Sequence, residues 1–402
     1  MQRPCRLLNR SLFCMCVMTF LVAMGYSLIV PVLPLYAHDF GASYIQIGAV
    51  IAGFALTRTT FNIPAGIFSG RVGSKKSMLL GLIFVGITSA IIGVARNYET
   101  ILLARTAAGV GSAFYVTSST TYMAELTTKG KRGRSMSIYD GVGMVGSTIG
   151  PAIGGILSYT GGRNMPFLAY ASFLFVAAVF VQFLLPEVTP EVQHQLPSYL
   201  DLKRTYGDRS FLSVNTSTFM YSFVLTSMQF TIIPLFAADN VGLNSLQIGG
   251  LFTGLSVAEL VTFIPIGSLS DRFGRKPFMI SSLIVSSLVL VVMSHVSSPV
   301  EFSLAMGMLG FGSGLAGPMD AWISDLAPKD KLGVAIGLYR TLNDIGVVGG
   351  PIFLTALTQT SQATAAISST PFLAGGVLMG ATAILLLRAK DPVKSRSFEV
   401  QI

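Results

Sequence analysis

The chain has 402 residues, of which 51% are hydrophobic and 11% charged, against about 25% charged in an ordinary soluble domain. So little polar surface excludes a soluble enzyme, a disordered chain and a disulfide-stapled secreted domain, and leaves a protein whose exterior faces lipid. The net charge of +9 then has to be located.

A bilayer core of about 30 Å takes roughly 20 apolar residues in a helix. Runs of that kind fall near 11–35, 45–69, 77–95, 100–122, 136–158 and 165–185 in the first half. In the second half they fall near 211–236, 245–269, 277–296, 300–322, 334–357 and 368–387. They are too long and too evenly apolar for barrel strands, and backbone groups in lipid must be satisfied within the segment, so the expected class is all-α with twelve spans. The run at 11–35 is too long for the apolar part of a signal peptide and reads as a retained first helix.

Cys5, Cys14 and Cys16 cluster at the start of the first span with no His or acid partner, which points to neither a disulfide nor a metal site. The span continues through Gly25, Tyr26, Pro31, Val32, Leu33 and Pro34. The turn after the second span reads Gly66-Ile-Phe-Ser-Gly70-Arg71-Val-Gly73-Ser-Lys75-Lys76. Glycine suits a tight turn, and basic residues hold such a turn at an anionic leaflet. The fourth span opens Leu102-Leu103-Ala104-Arg105-Thr106-Ala107-Ala108-Gly109-Val110-Gly111. The fifth carries Gly143, Gly146, Gly150-Pro151 and Gly154-Gly155, a smooth face for close helix approach with a proline that can bend it.

The segment 186–210 is the longest hydrophilic stretch, and beyond it the pattern repeats. At an offset of 201, Gln46-Ile47-Gly48 falls on Gln247-Ile248-Gly249, Pro64 on Pro265, Gly66 on Gly267, Arg71 on Arg272 and Gly73 on Gly274. At an offset of 200, Tyr139 falls on Tyr339, Gly146 on Gly346 and Gly150-Pro151 on Gly350-Pro351. The expected organisation is a six-helix bundle at 1–185, a linker at 186–210 and a second bundle with a short tail at 211–402. These are parallel repeats of the kind that rock about a midplane site.

Placing the basic residues on this scheme puts 22 of the 27 on the side of both termini and two, Arg96 and Arg163, on the other. That split predicts cytoplasmic termini in a multi-pass plasma-membrane protein. Charge spread over short loops is not the solvated basic face of a nucleic-acid binder.

The copy of the first turn, Gly267-Ser-Leu-Ser-Asp271-Arg272-Phe-Gly274-Arg275-Lys276, resembles in full the signature of the major facilitator superfamily. The first copy departs from it at Gly70, where the family carries an acid. The span-one, span-four and span-five motifs are similar to those of the family's twelve-span drug:proton antiporters, with Ala108 in place of the usual Gln. The resemblance implies a two-bundle transporter, a latch role for Asp271, and a proton-coupling role for Arg105. It also implies that spans one, four, seven and ten line a cavity.

Ionisable groups near the bilayer centre cost at least about 2.5–3.5 kcal/mol and mark function. Arg58 and Glu259 occupy equivalent midspan positions, and Asp344 lies about ten residues into span eleven. A carboxylate without a partner there can bind a proton near neutral pH, so Glu259 and Asp344 are candidate carriers. From the family's helix neighbours Arg58 is expected beside Asp344. Glu125 and its copy Asp325 are expected to brace loops.

Candidate substrate contacts are Tyr26, Tyr115, Tyr122, Tyr221, Gln229 and Phe230, an aromatic and weakly polar set suited to amphipathic compounds. The expected function is export of such a compound in exchange for protons by a chain acting as a monomer, without cofactor, metal or catalytic residues. An uptake symporter of a small metabolite and a non-transporting receptor or scaffold are the alternatives.

Overall fold

The computed structural model describes residues 3–127, 132–188, 209–326, 332–360, 367–389 and 391. Among these the regular elements are all helices. Most of the 186–210 linker lies outside the described residues, as do His194 and the side chains of Cys5 and Asp320.

The first half runs through α1 (Arg3–Ile29), α2 (Leu33–Asp39), α3 (Tyr44–Val72), α4 (Ser74–Gly93), α5 (Tyr98–Leu126), α6 (Arg132–Gly161) and α7 (Met165–Leu184). The second runs through α8 (Arg209–Tyr221), α9 (Ile233–Asp239), α10 (Ser245–Phe273), α11 (Lys276–Met293), α12 (Pro299–Leu315), α13 (Met319–Leu326), α14 (Leu332–Ala356) and α15 (Thr370–Leu386). Each of the twelve expected spans corresponds to one helix or to one interrupted helix.

The interruptions have chemical causes. The expected first span breaks after Ile29 and resumes at Leu33 with Pro34 in its first turn. Pro31 lies within the break, and proline removes a backbone donor and clashes with the preceding turn. The expected tenth span breaks at 316–318, where Pro318 follows Gly317 and α13 begins at once. The seventh span joins α8 to α9 through two π turns, Ser222–Thr226 and Met228–Ile232.

Among the described residues seven helices are long and apolar enough to cross a membrane, and α15 is a shorter apolar helix. Helices α3 and α5 fall short because each carries an arginine, Arg58 or Arg105, within a stretch of threonines and serines. Large apolar side chains such as Leu56, Ile63, Phe84, Phe183, Ile264, Leu288 and Ile384 are exposed on these helices. That is the exterior of a chain solvated by lipid rather than water.

The chain divides into two compact units, 1–195 with 244–253, and 196–243 with 254–402. In the first unit the packing rests on small residues, since lipid offers helices no hydrophobic drive to associate. A Cβ on Gly81 would meet the Gly111 carbonyl at 2.6 Å, so α4 and α5 touch backbone to backbone. Ser118 Oγ donates to Ser77 Oγ at 2.7 Å in the same contact. The expected smooth face of α6 lies on α1: Gly146 abuts the Phe20 carbonyl, Gly150 the Met24 carbonyl and Ser27, and Gly154 the Leu28 carbonyl. Gly155 meets Gly249 of the 244–253 segment.

In the second unit Gly346 and Gly350 of α14 abut the carbonyls of Phe219 and Phe223 in the same way. Ser282 Oγ donates to the Gly312 carbonyl at 2.7 Å, and Ser287 Oγ to the Gly376 carbonyl at 2.7 Å.

Candidate functional site

In the first unit the midspan charge is built at the crossing of α3 and α5. A Cβ on Gly109 would strike Thr57 and the Phe54 carbonyl, and one on Gly53 would meet Thr106 Oγ1 at 2.5 Å. Thr57 Oγ1 donates across the crossing to the Thr106 carbonyl at 2.6 Å. This close approach lays Phe54 against Arg105, whose guanidinium carbon stands 4.1 Å from the ring centroid. The same carbon is 5.5 Å from the Tyr26 ring centroid.

Arg58 approaches Phe54 as well, at 5.6 Å, so one phenyl ring serves two arginines. The Tyr26 and Phe54 centroids are 6.1 Å apart. Tyr170 of α7 lies close enough to feel both Arg105 and Tyr26 electrostatically, and Gly25 leaves the room its ring occupies. Arg105 is 2% exposed, and its Nε has no hydrogen-bond partner among the described residues. A buried guanidinium held by π faces is stabilised by the ring quadrupoles, by about 2 kcal/mol or more when desolvated.

The structure therefore brings together Arg105, Arg58 and Tyr26, and adds Phe54 and Tyr170, which the sequence reading did not single out. A signal for Phe54 was present: it precedes Arg58 by one helical turn, on the same face of α3. Tyr115 is buried one layer away, with Tyr139, Thr19 and Tyr170 as its polar neighbours. Tyr122 stands apart from this group. It is fully buried and its hydroxyl donates to the Pro186 carbonyl at 3.0 Å, so it braces the end of the unit.

The second unit reuses the scaffold with different chemistry. Gly310 and Gly314 of α12 press against the carbonyls of Leu255 and Glu259 in α10, as Gly109 presses on α3. Leu255 stands at the place of Phe54, Met306 at that of Arg105 and Glu259 at that of Arg58. A cation-and-ring site in one unit thus corresponds to a carboxylate in the other.

Glu259 is half-buried, and no hydrogen bond or ion pair from a described residue reaches its carboxylate. Its electrostatic neighbour is the Tyr221 phenol. Tyr221, Gln229 and Phe230 are all half-buried, along or beside the π turns. A π turn re-aims side chains relative to an α-helix, and such turns concentrate at functional sites. Ser222 Oγ donates to Asn343 Oδ1 at 2.6 Å, tying the first π turn to the residue beside half-buried Asp344.

The two basic turns have a common backbone. Gly73 and Gly274 adopt φ of +100° and +94°, a region costly for residues with a Cβ. Their N–H groups donate to the carbonyls of Ser69 at 2.9 Å and Ser270 at 3.1 Å. Around the second turn Arg275 reaches Asp271 at 2.6 Å, Asp325 at 3.2 Å and Ser270 Oγ at 2.6 Å. Around the first, Gly70 and Ser74 replace Asp271 and Arg275, and Ser74 Oγ donates to Glu125 Oε2 at 2.5 Å.

The expected bracing role of Glu125 and Asp325 is thus seen in both units, through different donors. Gly66 and Gly267 lie on the helices leading into these turns, and Arg71 and Arg272 are exposed at the helix ends.

Each turn also holds the end of its own unit's last helix. Lys75 Nζ donates to the Gln182 carbonyl at 2.9 Å. Lys276 Nζ donates to the carbonyls of Leu387 at 2.6 Å and Ala389 at 2.8 Å, and Asp391 accepts from the Lys276 N–H at 3.0 Å. These are cations on the unsatisfied carbonyls of a helix C-terminus, where the helix dipole favours them.

Two repeated helical units with buried midspan charge and matched basic turns define a multi-pass membrane protein of the transporter class. The profile of the Major Facilitator Superfamily matches residues 15–205 and 214–401, and the chain belongs to that family. It is 28% identical over 342 residues to multidrug resistance protein 2 of Bacillus subtilis, covering 83% of this chain and 84% of that one. It is 23% identical over 393 residues to the quinolone resistance protein NorA of Staphylococcus aureus, covering 96% and 98%. The fold is similar to the crystal structure of a bacterial homologue of the human lysosomal transporter Spinster. The TM-score is 0.78 at 14% identity, covering 95% of both chains.

Proposed function

We propose that the protein exports a small, largely hydrophobic or amphipathic organic compound in exchange for protons. The observation that carries this reading is Glu259, a carboxylate half-buried within a 29-residue apolar helix and reached by no hydrogen bond from a described residue. An acid in that setting is costly as a structural element and suited to loading and releasing a proton. Likeness to multidrug and quinolone resistance proteins over most of the chain supports the substrate class. The ring-lined surroundings of Arg105 and the half-buried Tyr221, Gln229 and Phe230 support it chemically.

In this reading residues 1–185 and 211–402, joined by the 186–210 linker, rock about a midplane site, both termini are cytoplasmic, and the chain works as a monomer in the plasma membrane. Asp344 and Arg58 take part in the coupling, and Asp271 latches the cytoplasmic side. Gly150, Pro151, Gly154 and Gly155 give the smooth, bendable face that lets another helix approach closely.

The test is reconstitution of the purified chain in vesicles with an imposed pH gradient and a quinolone or a lipophilic cation as probe. Gradient-driven accumulation in inverted vesicles, with proton coupling lost in Glu259→Gln or Asp344→Asn, is the expected result. Full coupling in both variants overturns the assignment of the carriers, and accumulation only in the opposite orientation overturns export.

A further inference from the structure

A cavity of about 550 Å³ lies between α1 and α6 in the first unit, lined by Leu12, Phe13, Cys16, Val17 and Phe20 of α1 and by Ile138 and Val142 of α6. Its origin is in the glycines of α6. Gly146, Gly150 and Gly154 bring the two helices into backbone contact, whereas toward the helix starts that stripe gives way to Ile138 and Val142, and a groove opens. The lining offers no charged group.

At the open end the chemistry reverses. Arg10 lies one turn before Phe13 and three residues along the same stripe, and Arg134 lies one turn before Ile138. Both arginines are exposed, and neither makes an ion pair with a described residue. The glycine contacts show α1 and α6 running parallel, with Gly143 level with Thr19 and Gly150 level with Met24. Counting back along both helices sets Arg134 level with Arg10.

We propose that this groove binds an anionic phospholipid, one acyl chain lying along the groove and the phosphate between Arg10 and Arg134. The apolar length takes the chain, and guanidinium forks match phosphate oxygens in pairs. A zwitterionic headgroup satisfies the same phosphate contacts but brings its own cation to the two arginines. The site is separate from the Arg105 group and independent of the transport reading above.

The experiment uses the purified full-length protein in a mild detergent and native mass spectrometry. The added ligands are dioleoyl phosphatidylglycerol, dioleoyl phosphatidylcholine and dodecyl phosphate. An arginine near an anionic headgroup is worth about fivefold in binding, so the glycerol lipid is expected to bind about thirtyfold more tightly than the choline lipid. The double variant Arg10→Gln/Arg134→Gln is expected to abolish that preference while keeping weak binding of both lipids.

Val142→Phe, which narrows the groove, is expected to weaken both. Because it could disturb folding, the double variant, which lies outside the packed contact, is the deciding one. Equal retention of the two lipids by the native chain, or a preference unchanged in the double variant, overturns the proposal. Dodecyl phosphate bound as tightly as the glycerol lipid overturns the phospholipid assignment in favour of a single-chain anion.

Discussion

Arg275 donates through Nε to Asp325 at 3.2 Å, while the residue at its place in the first repeat, Ser74, meets the equivalent acid Glu125 through a single hydroxyl. The acid is kept in both repeats and the donor is not. The second turn is a charged cluster in which Arg275 is 12% exposed and also engages Asp271. In the first the donor at that place is a neutral hydroxyl, which gives Glu125 a charge-assisted hydrogen bond. The two repeats therefore depend on their turns to different degrees.

Removing a hydrogen bond to a charged group costs about 1.5–3 kcal/mol when the site is part-buried, whereas an exposed ion pair is worth about 0–1 kcal/mol. Arg275→Ala should lower the thermal unfolding midpoint in detergent clearly. Asp271→Asn, which touches only the exposed carboxylate, should lower it little. An equal or larger effect of Asp271→Asn would refute this ranking.

The glycine face of α6 makes a graded prediction. Gly150→Ala and Gly154→Ala place a methyl against backbone carbonyls of α1, which cannot rotate away, and overpacking of this kind costs about 1–3 kcal/mol. Gly141→Ala, on the same helix with nothing within 4 Å, should be silent. Yield of monodisperse protein and unfolding temperature would check both, with Gly141→Ala as the internal control.

Among the described residues Arg105 is held by rings and by no acid, so its replacement by lysine is not conservative. A lysine keeps the charge but loses the planar stacking on Phe54 and Tyr26. Arg105→Lys is expected to leave a folded protein with under a tenth of the native transport rate, on the order of the 1.4 kcal/mol that a tenfold loss represents. Phe54→Leu should reproduce part of that loss. Native rates in Arg105→Lys vesicles would show that the stacking has no functional consequence.

Lys276 ties two carbonyls at the end of α15, and Lys75 ties one at the end of α7. In hydrogen–deuterium exchange, Lys276→Met should speed exchange at 385–391 without affecting 180–186, and Lys75→Met should do the reverse. Exchange that rises at neither helix end would mean that the lysines only decorate ends already closed by their own backbone.

Much of this could be read along the chain. The offset near 200 residues, the glycines of the fifth span and the placement of Gly73 and Gly274 in turns all depend on spacing, which a sequence displays directly. The midspan charges stood out for the same reason, because so few polar residues surround them. Tyr122 shows the limit. Its place in the fourth span can be read along the chain, but the direction of its side chain is set by the rotation of α5, which takes the hydroxyl to Pro186.

The sequence by itself determined the membrane class, the duplication, the family motifs and the residues at which charge enters the apolar spans. Each of these follows from the order and period of residue types. Only the tertiary structure decided that Arg58 and Arg105 both stand near the Phe54 ring, that Arg275 gathers two acids where Ser74 meets one, and that the seventh span contains π turns. Those outcomes turn on how far helices rotate and approach, and that is governed by backbone contacts at a few glycines acting on side chains from distant parts of the chain.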